Sequence, residues 1–122
     1  MALRQLEGRA RSGKIANIKT VLGAVGDPLF PTSGLDMVVV FDCLFEFSEP
    51  VTWMRNTKKY LKRDGVLVIV DPGPSRIGSA EHFLSRAQIL AFAGKSGYVP
   101  ASVDDSFLKS HMIVVLRPAP RP

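Results

Sequence analysis

Leu35-Asp36-Met37-Val38-Val39-Val40-Phe41-Asp42 is a continuous apolar run closed by an acid. A strand with one wet face alternates apolar and polar residues. A run without alternation predicts a strand covered on both faces, as in a parallel sheet. A second such run, Gly65-Val66-Leu67-Val68-Ile69-Val70, closes at Asp71-Pro72. Between them Pro50 suits the first turn of a helix, where its missing N–H costs nothing. That helix should turn Val51, Met54 and Leu61 inward, with Trp53 and Tyr60 flanking and Arg55, Lys58, Lys59 and Lys62 outside. Asp64-Gly65 makes the turn into the second run.

Working outward, Ser85 and Gln88 form a capping-box pattern for a helix that buries Ile89, Leu90, Phe92 and Ala93 and stops at Gly97. Residues 101–108 and 112–116 are two more strands, separated by Lys109, Ser110 and His111, which suits an antiparallel hairpin. Upstream, Leu3, Leu6 and Ala10 line one face of a helix over residues 3–11, with Gly13 as its stop. Residues 15–22, with Ile15, Ile18, Thr20 and Val21, read as a short strand. The tail, residues 118–122, should fray outside the sheet, leaving residues 1–117 as one domain. The alternation predicts an α/β sandwich whose sheet is mostly parallel with an antiparallel C-terminal hairpin.

The chain has 122 residues, 46% hydrophobic and 22% charged, with a formal net charge of +5. Those figures exclude a disordered or low-complexity chain. One cysteine, Cys43, excludes an intrachain disulfide and a zinc site built from cysteines. Two distant histidines, His82 and His111, do not suggest a metal site. The apolar runs fall short of the roughly 20 residues of a membrane helix. The first residues lack a secretory apolar region, and Glu7 argues against a mitochondrial leader, so the expected compartment is the cytoplasm. The basic residues gather in two clusters, Arg4, Arg9, Arg11, Lys14 and Lys19, then Lys58, Lys59, Lys62 and Arg63. A nucleic-acid surface through residues 4–19 is one reading. Solvated helix faces are the simpler one, because no aromatics interleave with the cations.

Ligands of such sheets bind beyond the carboxyl ends of the strands. The loops there hold Ala24, Asp27, Asp42, Cys43, Glu46 and Asp71. Taken singly, each has a plainer role. Asp42 suits a solvated strand end, Cys43 a small buried hydrophobe, and Glu46 and Glu49 solvated carboxylates. Asp71 suits a structural turn, Trp53 helix packing, and His82 and His111 the surface. No catalytic residue stands out.

Asn17-Ile18-Lys19-Thr20-Val21-Leu22-Gly23, Pro28-Leu29-Phe30-Pro31, Leu35-Asp36-Met37-Val38-Val39 and Leu61-Lys62-Arg63-Asp64-Gly65 occur in order. Asp104-Asp105-Ser106-Phe107-Leu108 follows. Together they resemble the Rossmann-like class of S-adenosylmethionine-dependent methyltransferases. The resemblance runs over almost the whole chain, but to the family's carboxyl-terminal two-thirds only. It implies S-adenosylmethionine as cofactor and a small-molecule methyl acceptor; the length of the apolar runs argues against a membrane, and the charge pattern disfavours nucleic acid. The cofactor edge would comprise Gly23, Ala24, Val25, Phe41, Asp42 and Cys43. Ala24 stands where the family usually has an acid, and Phe45 where many members have a histidine. The family's seven strands lie in the order third, second, first, fourth, fifth, seventh, sixth. The opening strand, its glycine-rich loop and the second strand have no counterpart here. Residues 35–41 should therefore form an apolar sheet edge. Two outcomes are expected: the Val21 strand slides over to pair with the Val39 strand, or a partner chain supplies the missing strands; the partners expected are a homo-oligomer or a missing N-terminal half. The competing reading is a non-catalytic interaction module that recruits a partner through residues 38–41.

Overall fold

The computed structural model describes residues 2–72, 84–108 and 110–120. His82 and residues 73–83 around it lie outside the described residues. The elements in chain order are α1 (Ala2–Ser12), β1 (Leu35–Phe41), a 3-10 turn (Leu44–Glu46) and α2 (Pro50–Thr57). A second 3-10 turn (Lys58–Tyr60), β2 (Leu61–Asp71), α3 (Arg86–Ser96), β3 (Tyr98–Asp104) and β4 (Met112–Pro118) follow.

The four strands form one sheet in the order β1-β2-β4-β3. β1 and β2 are parallel, and β4 runs antiparallel to both β2 and β3. Three strands thus point one way and β4 alone opposes them. Pairing register builds the core in rows: Val38 lies beside Leu67 and Leu67 beside Leu116, and Val40 beside Ile69 and Ile69 beside Val114. All six are buried, and the same cluster takes in Leu44, Met54, Ile89, Ala93 and Tyr98. These rows lie on one face because side chains two apart share a face of a strand.

The helices form for local reasons legible in the sequence. Pro50 occupies the first turn of α2. The Ser85 hydroxyl accepts the Gln88 N–H at 3.1 Å, and the Gln88 side chain accepts the Ser85 N–H at 2.8 Å, closing a capping box on α3. Gly97 ends α3 with φ of 86°, a conformation that side chains resist. The buried Tyr98 hydroxyl donates to the Met54 carbonyl at 2.7 Å and ties β3 to α2. Burial pushes that phenol well above its ordinary pKa.

Several expectations are corrected. Residues 15–22 form no strand. They neither pair with β1 nor enter the sheet; Ile15, Ile18 and Leu22 stay exposed, and the Thr20 hydroxyl donates to Glu7 of α1. β1 is an edge, as expected, but it is covered on one face only. Met37, Val39 and Phe41 are 54%, 50% and 58% exposed, while Val38 and Val40 are buried. Unbroken apolarity is matched by double-sided burial only in β2, where Leu67 through Asp71 are all buried. α1 closes not on Gly13 but on Lys14, whose φ is 55°. The Ile15 N–H reaches the Ala10 carbonyl and the Lys14 N–H the Arg11 carbonyl, the bonding of a Schellman end.

Leu61 begins β2 rather than ending α2. The 62–65 turn becomes a break in register, with Leu35 opposite Leu61 but Met37 opposite Val66. Gly65 is required there, because a Cβ would stand 2.8 Å from the Leu35 carbonyl oxygen. β3 starts at Tyr98 and ends at Asp104 rather than spanning 101–108. The Asp104 carboxylate accepts the Ser106 and Phe107 N–H groups and turns the chain out of the sheet. Those bonds hold its pKa below the usual carboxylate value. β4 extends through Pro118, opposite Tyr98, and the Ala119 N–H donates to the Gly97 carbonyl at 2.9 Å. The first residues of the tail are therefore fastened to the sheet.

Candidate functional site

β1 and β2 end together, with Phe41 opposite Val70, and β4 begins beside them, with Met112 opposite Asp71. This register brings residues 41–43, 71 and 110–112 to the carboxyl end of the parallel pair. The Asp42 N–H donates to the Val70 carbonyl at 2.9 Å. Asp42 then adopts φ of 57°, an uncommon conformation that aspartate tolerates better than most residues. The turn swings its carboxylate towards the start of β4.

There it meets His111. Nε2 lies 2.9 Å from Oδ1 and 3.1 Å from Oδ2, and the hydrogen bond runs to Oδ2. His111 Nδ1 is 2.7 Å from the Ser110 hydroxyl. With Nε2 carrying the proton towards Asp42, Nδ1 accepts from Ser110. The imidazole lies 5.5 Å from the Phe41 ring at 31°, and its side chain is only 17% exposed. The sequence reading placed His111 on the surface; it is instead partly buried and paired. No local signal could show this, because Asp42 and His111 meet only when β2 separates β1 from β4 by one strand.

Cys43 is half-buried, and burial first, then the Glu46 charge, raises its pKa. The thiol is thereby made a poor nucleophile. Asp71 is fully buried at the end of β2. Glu46 and Glu49 are exposed, and Trp53 packs against Phe47 with ring centroids 4.9 Å apart. Among the described residues no three His, Cys, Asp or Glu side chains converge as a metal site.

The 23–28 loop is fastened from both sides. Ala24 and Asp27 exchange backbone hydrogen bonds across a tight turn. Gly23 is pressed against Pro28, whose carbonyl oxygen would stand 3.0 Å from a Cβ. The Asp27 carboxylate accepts from Lys59, from the Leu29 N–H at 2.8 Å and from the Tyr60 hydroxyl at 2.7 Å. The Lys59 bond, then the Leu29 bond, lower its pKa to about 2, and the same contacts raise those of Lys59 and Tyr60. Asn56 Nδ2 donates to the Gly26 carbonyl at 2.6 Å. Asp27 thus clamps the loop to the end of α2. Ala24 and Val25 remain exposed.

The observation that decides the fold is the strand order. β1-β2-β4-β3, with β4 alone reversed, corresponds to the fourth, fifth, seventh and sixth strands expected above. A SAM-dependent methyltransferase from Aquifex aeolicus superposes with a TM-score of 0.82 at 15% identity, over 93% of this chain and 62% of that one. The chain has the methyltransferase fold. The O-methyltransferase NcsB1 of neocarzinostatin biosynthesis, in complex with S-adenosyl-L-homocysteine and 1,4-dihydroxy-2-naphthoic acid, matches at 0.69. It shares 19% identity, over 96% of this chain and 38% of its own. The [4+2]-cyclase SpnF matches at 0.76 and 12% identity, over 97% of this chain and 63% of its own. The chain therefore spans less than two-thirds of the length of these methyltransferase-fold proteins. No protein-family model and no curated protein matches the sequence.

The described residues fit S-adenosylmethionine on one side only. Phe41 offers an exposed aromatic face and Asp42 a carboxylate at the strand ends. At position 24 there is a methyl group instead of an acid, and the loop's own carboxylate, Asp27, is committed to Lys59, Tyr60 and Leu29.

Proposed function

We propose that this chain takes part in S-adenosylmethionine-dependent methyl transfer to a small-molecule acceptor, as the acceptor-side portion of a methyltransferase fold. The strand order carries the reading, since it reproduces the neighbours' sheet over nearly the whole chain. In this reading Phe41, Asp42 and Cys43 form one edge of the cofactor site, and residues 23–25 approach it from the adjoining loop. Asp42 and His111 orient the acceptor. Methyl transfer from a sulfonium demands alignment more than side-chain chemistry, so a site with few reactive groups suits it. In this reading a partner polypeptide of different sequence, docked along β1, supplies the remaining strands and the glycine-rich loop. The free edge of β1 and its exposed Met37, Val39 and Phe41 support this part of the reading.

The test is a titration of isotopically labelled protein with S-adenosylhomocysteine to several millimolar, followed by amide chemical shifts. Shifts gathered at residues 23–25 and 41–43, and diminished by Asp42→Asn, are expected. Shifts confined to other regions, or none at saturation of the titration, would overturn the assignment.

A further inference from the structure

We propose that a basic groove at the amino end of the sheet binds a small anion carrying several phosphate groups. This site lies at the opposite end of the strands from Asp42 and His111 and does not depend on the methyltransferase reading. The groove encloses about 860 Å³ beside the last turn of α2, the start of β2 and the end of β4. That is the size of a small-molecule site, roughly 300–1,000 Å³.

Its lining holds five cations, Arg55, Lys58, Lys59, Lys62 and Arg63, and no carboxylate. The chain brings them together by two devices. Arg55, Lys58 and Lys59 follow one another round the end of α2, and the register break in β2 pushes Lys62 and Arg63 out beside them. Most are held in place from outside. Arg55 donates to the Lys95 carbonyl at 2.8 Å, Lys59 is paired with Asp27, and Lys62 is paired with Asp36. Lys58 Nζ lies 5.8 Å from the centre of the Tyr98 ring, over Gly97, where any side chain would collide with it.

Arg63 makes no hydrogen bond or ion pair among the described residues, and the three nearby carboxylates of Asp27, Asp36 and Asp64 leave the five cations with a surplus of positive charge. Like charges gathered round one concavity repel each other and focus a field that draws anions in. Phosphate oxygens are the acceptors best matched to several Lys and Arg donors at once. The rest of the lining is Asn56 and the apolar Leu61, Pro118, Ala119 and Pro120, and no aromatic side chain lines the groove. Single-stranded nucleic acid is held by base stacking on aromatics as well as by charge. The geometry therefore favours a compact polyphosphate, free or carried on a small molecule, over a polymer.

The experiment is calorimetric titration of the full chain with inorganic triphosphate at low and at high salt. Saturable binding is expected, weakened by salt and by about tenfold for each of Lys58→Gln and Arg63→Gln, the loss of one charge-assisted bond each. Both positions can be checked for an unchanged fold by circular dichroism. Arg4→Gln with Arg9→Gln on α1 should leave the affinity unchanged. Absence of saturable heat at low salt would overturn the proposal. So would binding that follows the α1 pair and ignores Lys58 and Arg63, or binding of an oligonucleotide by a protein that fails to bind triphosphate.

Discussion

Residues 2–34 and residues 35–120 both carry apolar side chains, yet they use them in opposite ways. In the first stretch Leu6, Ile15, Ile18, Leu22, Val25 and Leu29 are all exposed, and only Ala10 and Pro28 are buried. In the second, whole rows of Val, Leu and Ile run from β1 across β2 to β4 beneath the helices. Residues 15–22 have strand-type residues, as β1 does. The difference is that β1 has β2 to bond with and Met54 and Ile89 in the same buried cluster. A strand is a relation between segments, and β-propensity alone does not create one.

The largest effect expected from this contrast is in β2. Ile69→Ala should cost about 2–5 kcal/mol in denaturant unfolding, whereas Ile18→Ala should change stability by no more than about 0.5 kcal/mol. Equal losses would break the comparison. Next comes the link between α2 and β3. Tyr98→Phe leaves the buried Met54 carbonyl without its donor and should cost about 1–3 kcal/mol by the same measurement. Ser85→Ala removes half of the capping box and should cost about 1 kcal/mol, read as a lower thermal midpoint.

The smallest and sharpest test concerns the clamp on the 23–28 loop. The Asp27 pKa is lowered from 3.8 to about 2. Its contribution is therefore present above the unfolded value and lost as pH falls through the folded one. The stability difference between the native chain and Asp27→Asn should stay constant above pH 3.8 and close on acidification towards pH 2. A difference that persists unchanged at the acid end would show that the carboxylate charge is not what holds the loop.

Much of the second stretch is readable from the sequence because its signals are local. Pro50, the Ser85–Gln88 box and Gly97 mark helix ends, and two unbroken apolar runs mark β1 and β2. Burial is not readable in the same way. Residues 35–41 and 65–70 look alike in composition, but only the position of β1 at the sheet edge leaves Val39 and Phe41 exposed. The candidate site was legible at Asp42, since an acid closes an apolar strand. Its partner His111 was not, because 69 positions separate the two and only the strand order unites them. The partners of Asp27 were illegible for a related reason. A carboxylate in a loop after a strand-like segment suggests a site, and nothing nearby announces that Lys59 and Tyr60 will claim it.

The register break at the start of β2 places two unequal demands on neighbouring positions. At 62, 63 and 64 the chain bulges into water, so side chains of many sizes and charges can be accommodated. At 65 the obstacle is a main-chain oxygen fixed by β1, which no rotamer change can move aside. Randomising these four codons together and selecting for folded protein would thus return diversity at three of them and a single amino acid at the last.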